Sequence, residues 1–142
     1  MITDKLLRVS EDQAITTTAV STNTIDLGVA RDIGEGTNLT MYFTVTAAMV
    51  GGTSINFEVV NDDNAALTSP AVIGASGAIL TAGLAVGANI AVKLNASIGT
   101  TGQRYVGARY TVAGTYSAGT VTADMVETIQ DGKKYYASGF VL

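Results

Sequence analysis

Hydrophobic and polar residues alternate most regularly in two stretches of the chain, residues 104–112 and 120–127. In both, valine, alanine, tyrosine or methionine recurs at every second position. A period of two residues is typical of β-strands with one buried and one exposed face. Residues 113–119 between the two stretches contain Gly114 and Gly119. The pattern therefore predicts a long β-hairpin, whose apolar face must be covered by a second layer.

The same alternation recurs elsewhere in the chain. Residues 39–47 place Leu, Met, Phe, Val and Ala on one face and Thr and Tyr on the other, and residues 54–60 and 89–95 follow the same period. Residues 14–20 and 25–28 predict two shorter strands. Because 39–47 and 54–60 are close in sequence, we expect them to be neighbours in one sheet or to meet across the core.

The number and spacing of these strands predict the fold class. About eight short strands separated by turns favour an all-β protein, a jelly-roll-like antiparallel β-sandwich. Residues 65–88, rich in small side chains, predict two short strands with long connections. We expect a single domain, 1–142, with extended terminal segments: an N-terminal arm at 1–10 and a final strand or tail at 128–142. The arm either packs on the edge of the sandwich or reaches a neighbouring subunit.

Charge and composition argue against several classes of protein. The net charge is −4 and no basic run is longer than the lysine pair at 133–134, which argues against a nucleic-acid partner. No segment reaches the roughly 18 uninterrupted apolar residues of a membrane helix, and residues 1–10 lack the apolar core of a signal peptide. We therefore expect no membrane partner and synthesis in a cytoplasm. Only 14% of residues are charged, and such a surface suits burial against partner proteins.

The sequence offers few side chains for catalysis. It has no His and no Cys, which excludes a Ser-His-Asp triad, a Cys nucleophile and the usual zinc sites. Glu58, Asp124 and Glu127 lie on predicted strands and could supply the carboxylate pair of a glycosidase. Such carboxylates are far more often solvated or paired with Lys or Arg, and there is no Trp to wall a cleft. We predict that the protein is not an enzyme and has no catalytic residues.

The segment 61–64, with the sequence Asn-Asp-Asp-Asn, is the one candidate for a cation site. Clustered oxygen ligands suit Ca²⁺, but the spacing does not match the loop of an EF-hand. The composition is also typical of a surface turn, which is the favoured interpretation. No metal and no cofactor is predicted.

Tyrosine marks candidate contacts with a partner protein. The alternation places Tyr105 on the outward face beside Arg109, and Tyr116 falls at the tip of the predicted hairpin loop. Tyr and Arg are enriched in protein interfaces. We therefore expect these three residues to contact a partner.

Two parts of the sequence resemble a known family. Residues 6–15 (LLRVSEDQAI) and 21–28 (STNTIDLG) resemble the opening of the tailed-phage capsid cement (decoration) proteins, typified by the Bordetella phage cement protein. Residues 104–114 (RYVGARYTVAG) and 118–123 (AGTVTA) resemble the signature hairpin of that family, and the length of the chain agrees.

The resemblance implies a virion structural protein, a jelly roll on the outer surface of an icosahedral phage head. Its partners would be a major capsid protein of the HK97-like fold and a second copy of itself, as a homodimer or alternatively a trimer. It would bridge neighbouring capsomers and stabilise the shell against packaged DNA. The candidate contacts in the arm and tail are Leu6, Leu7, Arg8, Tyr135, Tyr136 and Phe140. Deleting residues 1–10 is expected to leave a folded domain that no longer binds heads.

A second hypothesis keeps the β-sandwich and changes its role. The protein would be a carbohydrate- or receptor-binding module of a phage spike or fibre. Such a module needs exposed aromatic platforms, and the absence of Trp weighs against it.

Overall fold

The computed structural model describes residues 3–33, 39–95 and 102–127. These residues form nine β-strands and two short 3-10 turns, Lys5–Leu7 and Thr81–Gly83. The strands are β1 (Arg8–Ala14), β2 (Ala19–Val20), β3 (Ile25–Asp26), β4 (Thr40–Gly51), β5 (Ser54–Asp62), β6 (Ala71–Leu80), β7 (Asn89–Lys93), β8 (Tyr105–Ala113) and β9 (Tyr116–Val126). The predicted all-β fold is confirmed.

The strands form two antiparallel sheets. The order is β1-β9-β4-β7 in one and β2-β8-β5-β6 in the other. β3 also pairs with β8, on a different part of that strand from β2, so β2 and β3 act as one interrupted edge strand. The chain therefore changes sheet at most of its connections, as in a jelly roll. The predicted jelly-roll-like sandwich is confirmed.

The predicted hairpin between residues 104–112 and 120–127 is wrong. β8 pairs with β5, whereas β9 pairs with β4 in the opposite sheet. The chain crosses between the sheets at Gly114, whose φ of +86° lies in the left-handed region that glycine adopts readily. β9 begins at Tyr116, so most of the predicted loop is strand. Alternation identified the strands but not their partners, because the period of two is the same in either sheet.

The core lies between the two sheets and contains an aromatic cluster. The rings of Phe43 on β4 and Phe57 on β5 lie 5.2 Å apart, and each lies 5.9 Å from the ring of Tyr110 on β8. Met41 and Val45 flank Phe43 on the same face and are fully buried, as the alternation predicted. The strands at 39–47 and 54–60 therefore meet across the core, which was one of the two predicted arrangements, and are not neighbours in one sheet.

Residues 65–88 contain one long strand, β6, where the sequence predicts two short ones. β6 pairs with β5 along its length, with irregularities in register that absorb extra residues. Gly77 within it has a φ of +75°, which is accessible to glycine and strained for other residues. A strand interrupted in this way loses its regular alternation, which is why the sequence pattern divided it in two.

The N-terminal arm is shorter than the predicted 1–10. Arg8 already begins β1, and Val9 and Ser10 are fully buried. β1 pairs with β9, Arg8 lying opposite Asp124. Residues 8–10 are therefore part of the fold, because Val9 and Ser10 are buried in it and Arg8 forms an ion pair with β9. The predicted tail 128–142 lies outside the described residues.

The two ends of the sandwich carry different connections. One end carries the β1–β2, β4–β5, β6–β7 and β8–β9 connections, at residues 15–18, 52–53, 81–88 and 114–115. The opposite end carries the described residues 3–7, 27–33, 63–70, 94–95 and 102–104, together with Glu127. We call the first the uncharged end, because none of its connections contains a charged residue, and the second the charged end.

Candidate interaction surface

Charged side chains of the described residues lie at the charged end and in the middle of the sandwich. In the middle are Glu11, Asp12, Glu58 and Arg109, as the strand registers place them. At or next to the charged end are Asp4, Lys5, Arg8, Asp26, Arg31, Asp32, Asp62, Asp63, Lys93, Arg104, Asp124 and Glu127. Most charged side chains of the described residues are therefore concentrated at one end of the molecule.

The N-terminal turn exposes a leucine at the charged end. The Asp4 carboxylate caps the turn by accepting a 2.9 Å hydrogen bond from the Leu6 amide. The side chain of Leu6 is directed away from the fold and is 84% exposed, and Lys5 beside it is also exposed. Leu7 is half-buried and packs against the core. Leu6 is thus the predicted contact of this segment with the most surface available to a partner.

Arg8 binds within the fold. Its Nε donates a 2.8 Å hydrogen bond to Oδ1 of Asp124 on β9, and its Nη1 lies 3.0 Å from Oε1 of Glu11. The bond to Asp124 is the main cause of a raised pKa of Arg8, which burial opposes. Only 8% of the Asp124 side chain is exposed, so Arg8 neutralises a nearly buried carboxylate. The predicted contact residue Arg8 therefore has a structural partner.

A second ion pair brings Tyr105 into a cluster at the charged end. Nε and Nη2 of Arg104 donate hydrogen bonds of 2.7 and 2.8 Å to the two carboxylate oxygens of Asp26. The Arg104 guanidinium also lies 5.1 Å from the centre of the Tyr105 ring, a cation–π distance. The hydrogen bond from Arg104, supported by one from the Gly28 amide, lowers the pKa of Asp26 to about 2. The predicted contact residue Tyr105 is half-buried beside this pair.

Arg109 lies in the middle of the outer face of its sheet and is held by Glu58. Its Nε donates a 2.6 Å hydrogen bond to Glu58 Oε2, which also accepts one of 2.8 Å from the Thr111 hydroxyl. The Asn56 amide donates to the other oxygen at 2.9 Å. The Arg109 side chain retains 27% of its surface. The predicted outward direction of Arg109 is confirmed, but its guanidinium already has a partner.

The candidate catalytic carboxylates are not assembled into a pair across a cleft. Glu58 lies on the outer face of one sheet and Asp124 on the outer face of the other, with the core between them. Each forms an ion pair with an arginine, and Glu127 follows the end of β9. Ion pairing is the ordinary role of strand-surface carboxylates. That the protein is not an enzyme stays a prediction.

The segment 61–64 forms the end of β5 and the start of a turn. Its side chains accept hydrogen bonds from the backbone of the turn that follows. Asp62 accepts one from the Ser69 amide at 2.8 Å, and Asn64 accepts one from the Ala66 amide at 2.8 Å. Burial opposes ionisation of Asp62, but the hydrogen bonds, led by that from Ser69, lower its pKa. Within 3–33, 39–95 and 102–127, no three His, Cys, Asp or Glu side chains gather into a metal-binding group.

The prediction that Tyr116 lies at a loop tip is wrong. Tyr116 opens β9, only 1% of it is exposed, and its hydroxyl forms a 2.7 Å hydrogen bond with that of Thr81. The ring packs so closely on Gly52 that a Cβ there would overlap it. Tyr116 therefore closes the core at the uncharged end and has no surface for a partner. The predicted contacts Tyr135, Tyr136 and Phe140 lie outside the described residues.

The structure brings only some of the predicted partner-contact residues together. Leu6 and Tyr105 lie at the same end of the sandwich, on different sheets, whereas Arg109 lies in the middle and Tyr116 at the opposite end. Sequence reasoning missed the Asp26–Arg104 pair and, within the part of the chain that the structure describes, the lack of charge at one end. The second feature has a signal in the sequence, since long runs of the chain contain no charged residue.

The fold and this surface define a class of protein: a jelly roll with ion-paired outer faces and an exposed apolar turn at one end. Across the described segments, no helix is long and apolar enough to cross a membrane. The chain belongs to the Bbp16 family, a family of Bordetella phage protein, whose model matches residues 9–125. The family membership agrees with the phage family that the sequence resembles. No curated protein matches the chain.

Proposed function

We propose that the protein is a capsid cement protein, which binds the outer surface of an icosahedral phage head and bridges neighbouring capsomers. The observation that carries the proposal is the family match, which runs from β1 into β9 and so covers the whole jelly roll. The partner is a major capsid protein of the HK97-like fold. The bridging unit is a homodimer, with a trimer at three-fold sites as the alternative, and its place in the virion is the outer face of the shell.

The charged end supports this role as the surface that contacts the shell. Leu6 and Lys5 project from it without a partner among the described residues, while Arg8 and Arg104 hold the underlying carboxylates. An exposed apolar side chain next to a cation is suited to a pocket in a partner. Because a head offers many identical sites and each unit bridges two, modest contacts add by avidity.

The test is binding to heads assembled without the protein. Full-length chain is mixed with such heads and recovered by sedimentation, and the temperature at which the heads release DNA is recorded. We expect the wild-type chain to saturate the heads and to raise that temperature. Leu6→Asp should weaken binding at least about tenfold, as the loss of an interface anchor does.

A matched control separates the N-terminal turn from a general effect of charge. Val72→Asp introduces the same charge at another exposed apolar residue next to the charged end, at the start of β6 in the opposite sheet. It should weaken binding much less than Leu6→Asp, because it leaves the turn unchanged. Failure of the wild-type chain to sediment with heads would contradict the proposed function. Equal binding by the wild-type chain and by Leu6→Asp would contradict only the role of the turn.

A further inference from the structure

Among residues 3–33, 39–95 and 102–127, one half of the sandwich contains no charged residue. The strand registers place residues 13–20, 45–57, 76–89 and 110–121 together in the half that includes the uncharged end, and none of them is Asp, Glu, Lys or Arg. The rest of the chain carries all 20 charged residues. Charged residues are depleted in the cores of protein interfaces relative to other surfaces.

The same half also exposes large apolar side chains. Val50, Leu80 and Val86 are 52%, 65% and 66% exposed. Backbone hydrogen bonds from the Met49 amide to Leu84 and from the Thr81 amide to Thr53 hold the three segments that carry them side by side. Alanine, glycine and threonine make up most of the surface between them. Exposed apolar residues grouped in this way mark an interaction site more often than single ones do.

We propose that the uncharged end is the surface through which two copies of this chain associate. The net charge of the chain favours a second copy as the molecule that covers the uncharged end. Each chain has a net charge of −4, so the repulsion between two copies is least when they approach through a surface without charge. The uncharged end of the second copy is such a surface, and a two-fold contact brings the same patch of both chains together.

This contact would explain how the proposed cement protein bridges two capsomers, and that part of the argument rests on the proposed function. If two chains join at their uncharged ends, their charged ends point in opposite directions. Each dimer then presents two copies of the N-terminal turn with Leu6, one at each extremity. A unit of this shape reaches two capsomers at once, which a single sandwich with one charged end does not.

The test measures the oligomeric state of the full-length chain by sedimentation equilibrium over a range of concentrations. We expect the wild type to be a dimer, and Leu80→Asp and Val86→Asp to be monomers with a dissociation constant raised at least about 100-fold, since each would bury an unpaired charge. Val29→Asp carries the same charge on an exposed valine outside this half and should remain dimeric. Thermal unfolding of each variant shows that it is folded.

The outcomes separate this proposal from the proposed function. A monomeric or trimeric wild type, or dimers that survive both substitutions, would overturn the proposal. Dimeric variants that no longer bind heads would assign the uncharged end to the shell instead, and would also overturn it. A dimer that dissociates as expected, from a wild type that does not bind heads, would support this contact while the cement function fails.

Discussion

The hydroxyl of Tyr110 donates a 2.7 Å hydrogen bond to Oγ of Ser10, and this bond joins β8 of one sheet to β1 of the other inside the core. Both residues are fully buried. Ser10 donates in turn to Oε1 of Gln13, whose amide donates to the carbonyl of Val20. Burial raises the pKa of Tyr110, so the phenol stays a donor. The chain of bonds fixes β1 and β2 relative to the aromatic cluster.

Replacing Tyr110 with Phe removes this bond and keeps the ring. We expect Tyr110→Phe to lower the free energy of unfolding by about 1–2 kcal/mol. The buried hydroxyl of Ser10 loses its donor, although it keeps its own bond to Gln13. Urea denaturation measures the change. Tyr42→Phe is the control: Tyr42 is half-buried on the outer face of the other sheet and should change stability by less than about 0.5 kcal/mol. Equal effects in both variants would contradict the role of the Tyr110 bond.

Gly74 permits the close approach of β6 to β7 that closes one side of the sandwich. A Cβ at Gly74 would lie 2.5 Å from the carbonyl oxygen of Lys93 and 3.1 Å from Cγ1 of Val92. We expect Gly74→Ala to destabilise the fold by about 1–3 kcal/mol, because the backbone of β7 must move. Gly83→Ala, where the nearest atom is an ordinary 3.5 Å contact, should be close to neutral in the same thermal unfolding assay. A Gly74→Ala protein as stable as Gly83→Ala would rule out this tight contact.

The ion pair of Asp26 with Arg104 makes stability depend on pH. The folded-state pKa of Asp26 is about 2, below its ordinary value of 3.8. The pair therefore contributes stability that is complete above pH 3.8 and is lost as pH falls through the folded pKa, between about pH 4 and pH 2. We expect the stability difference between the wild type and Asp26→Asn to shrink over this window. The pKa itself, followed by the carboxyl carbon in NMR, should rise toward 3.8 in Arg104→Gln, and an unchanged pKa would show that Arg104 is not its cause.

The boundary of the N-terminal arm can be tested by two truncations. Removing residues 1–7 should leave a folded protein, because only Leu7 of the described part packs against the core. Removing residues 1–10 should cost at least about 3 kcal/mol, since it deletes buried Val9 and leaves the carboxylate of Asp124 without Arg8. Chemical denaturation of both truncations gives the difference. Equal stabilities would mean that the first strand contributes little to the fold.

The truncations also decide how the arm is tested for binding to heads. A loss of head binding on removing residues 1–10 would combine unfolding with loss of a contact. The shorter truncation removes Lys5 and Leu6 and keeps β1, so any loss of binding reports on the contact itself.

Much of the site could not be predicted from local sequence. Arg109 was placed on the outward face correctly, because alternation within β8 determines which side of the sheet it occupies. Its partner Glu58 lies 51 residues away, and only the pairing of β5 with β8 brings them together. Tyr116 shows the limit of local sequence: a tyrosine between glycines predicts a loop tip, whereas the crossing at Gly114 directs this residue into the core.

Side-chain alternation and composition are enough to predict an all-β sandwich, the inward-facing residues of its regular strands, and a set of segments without charge. These properties follow from the period of side chains along one strand and from composition, which need no knowledge of contacts. The tertiary structure decided that β8 and β9 belong to opposite sheets, that Arg8 is part of the fold, and that the uncharged segments gather in one half. Each of these depends on which strands pair, and the pairing is set by how two whole sheets pack around a common core.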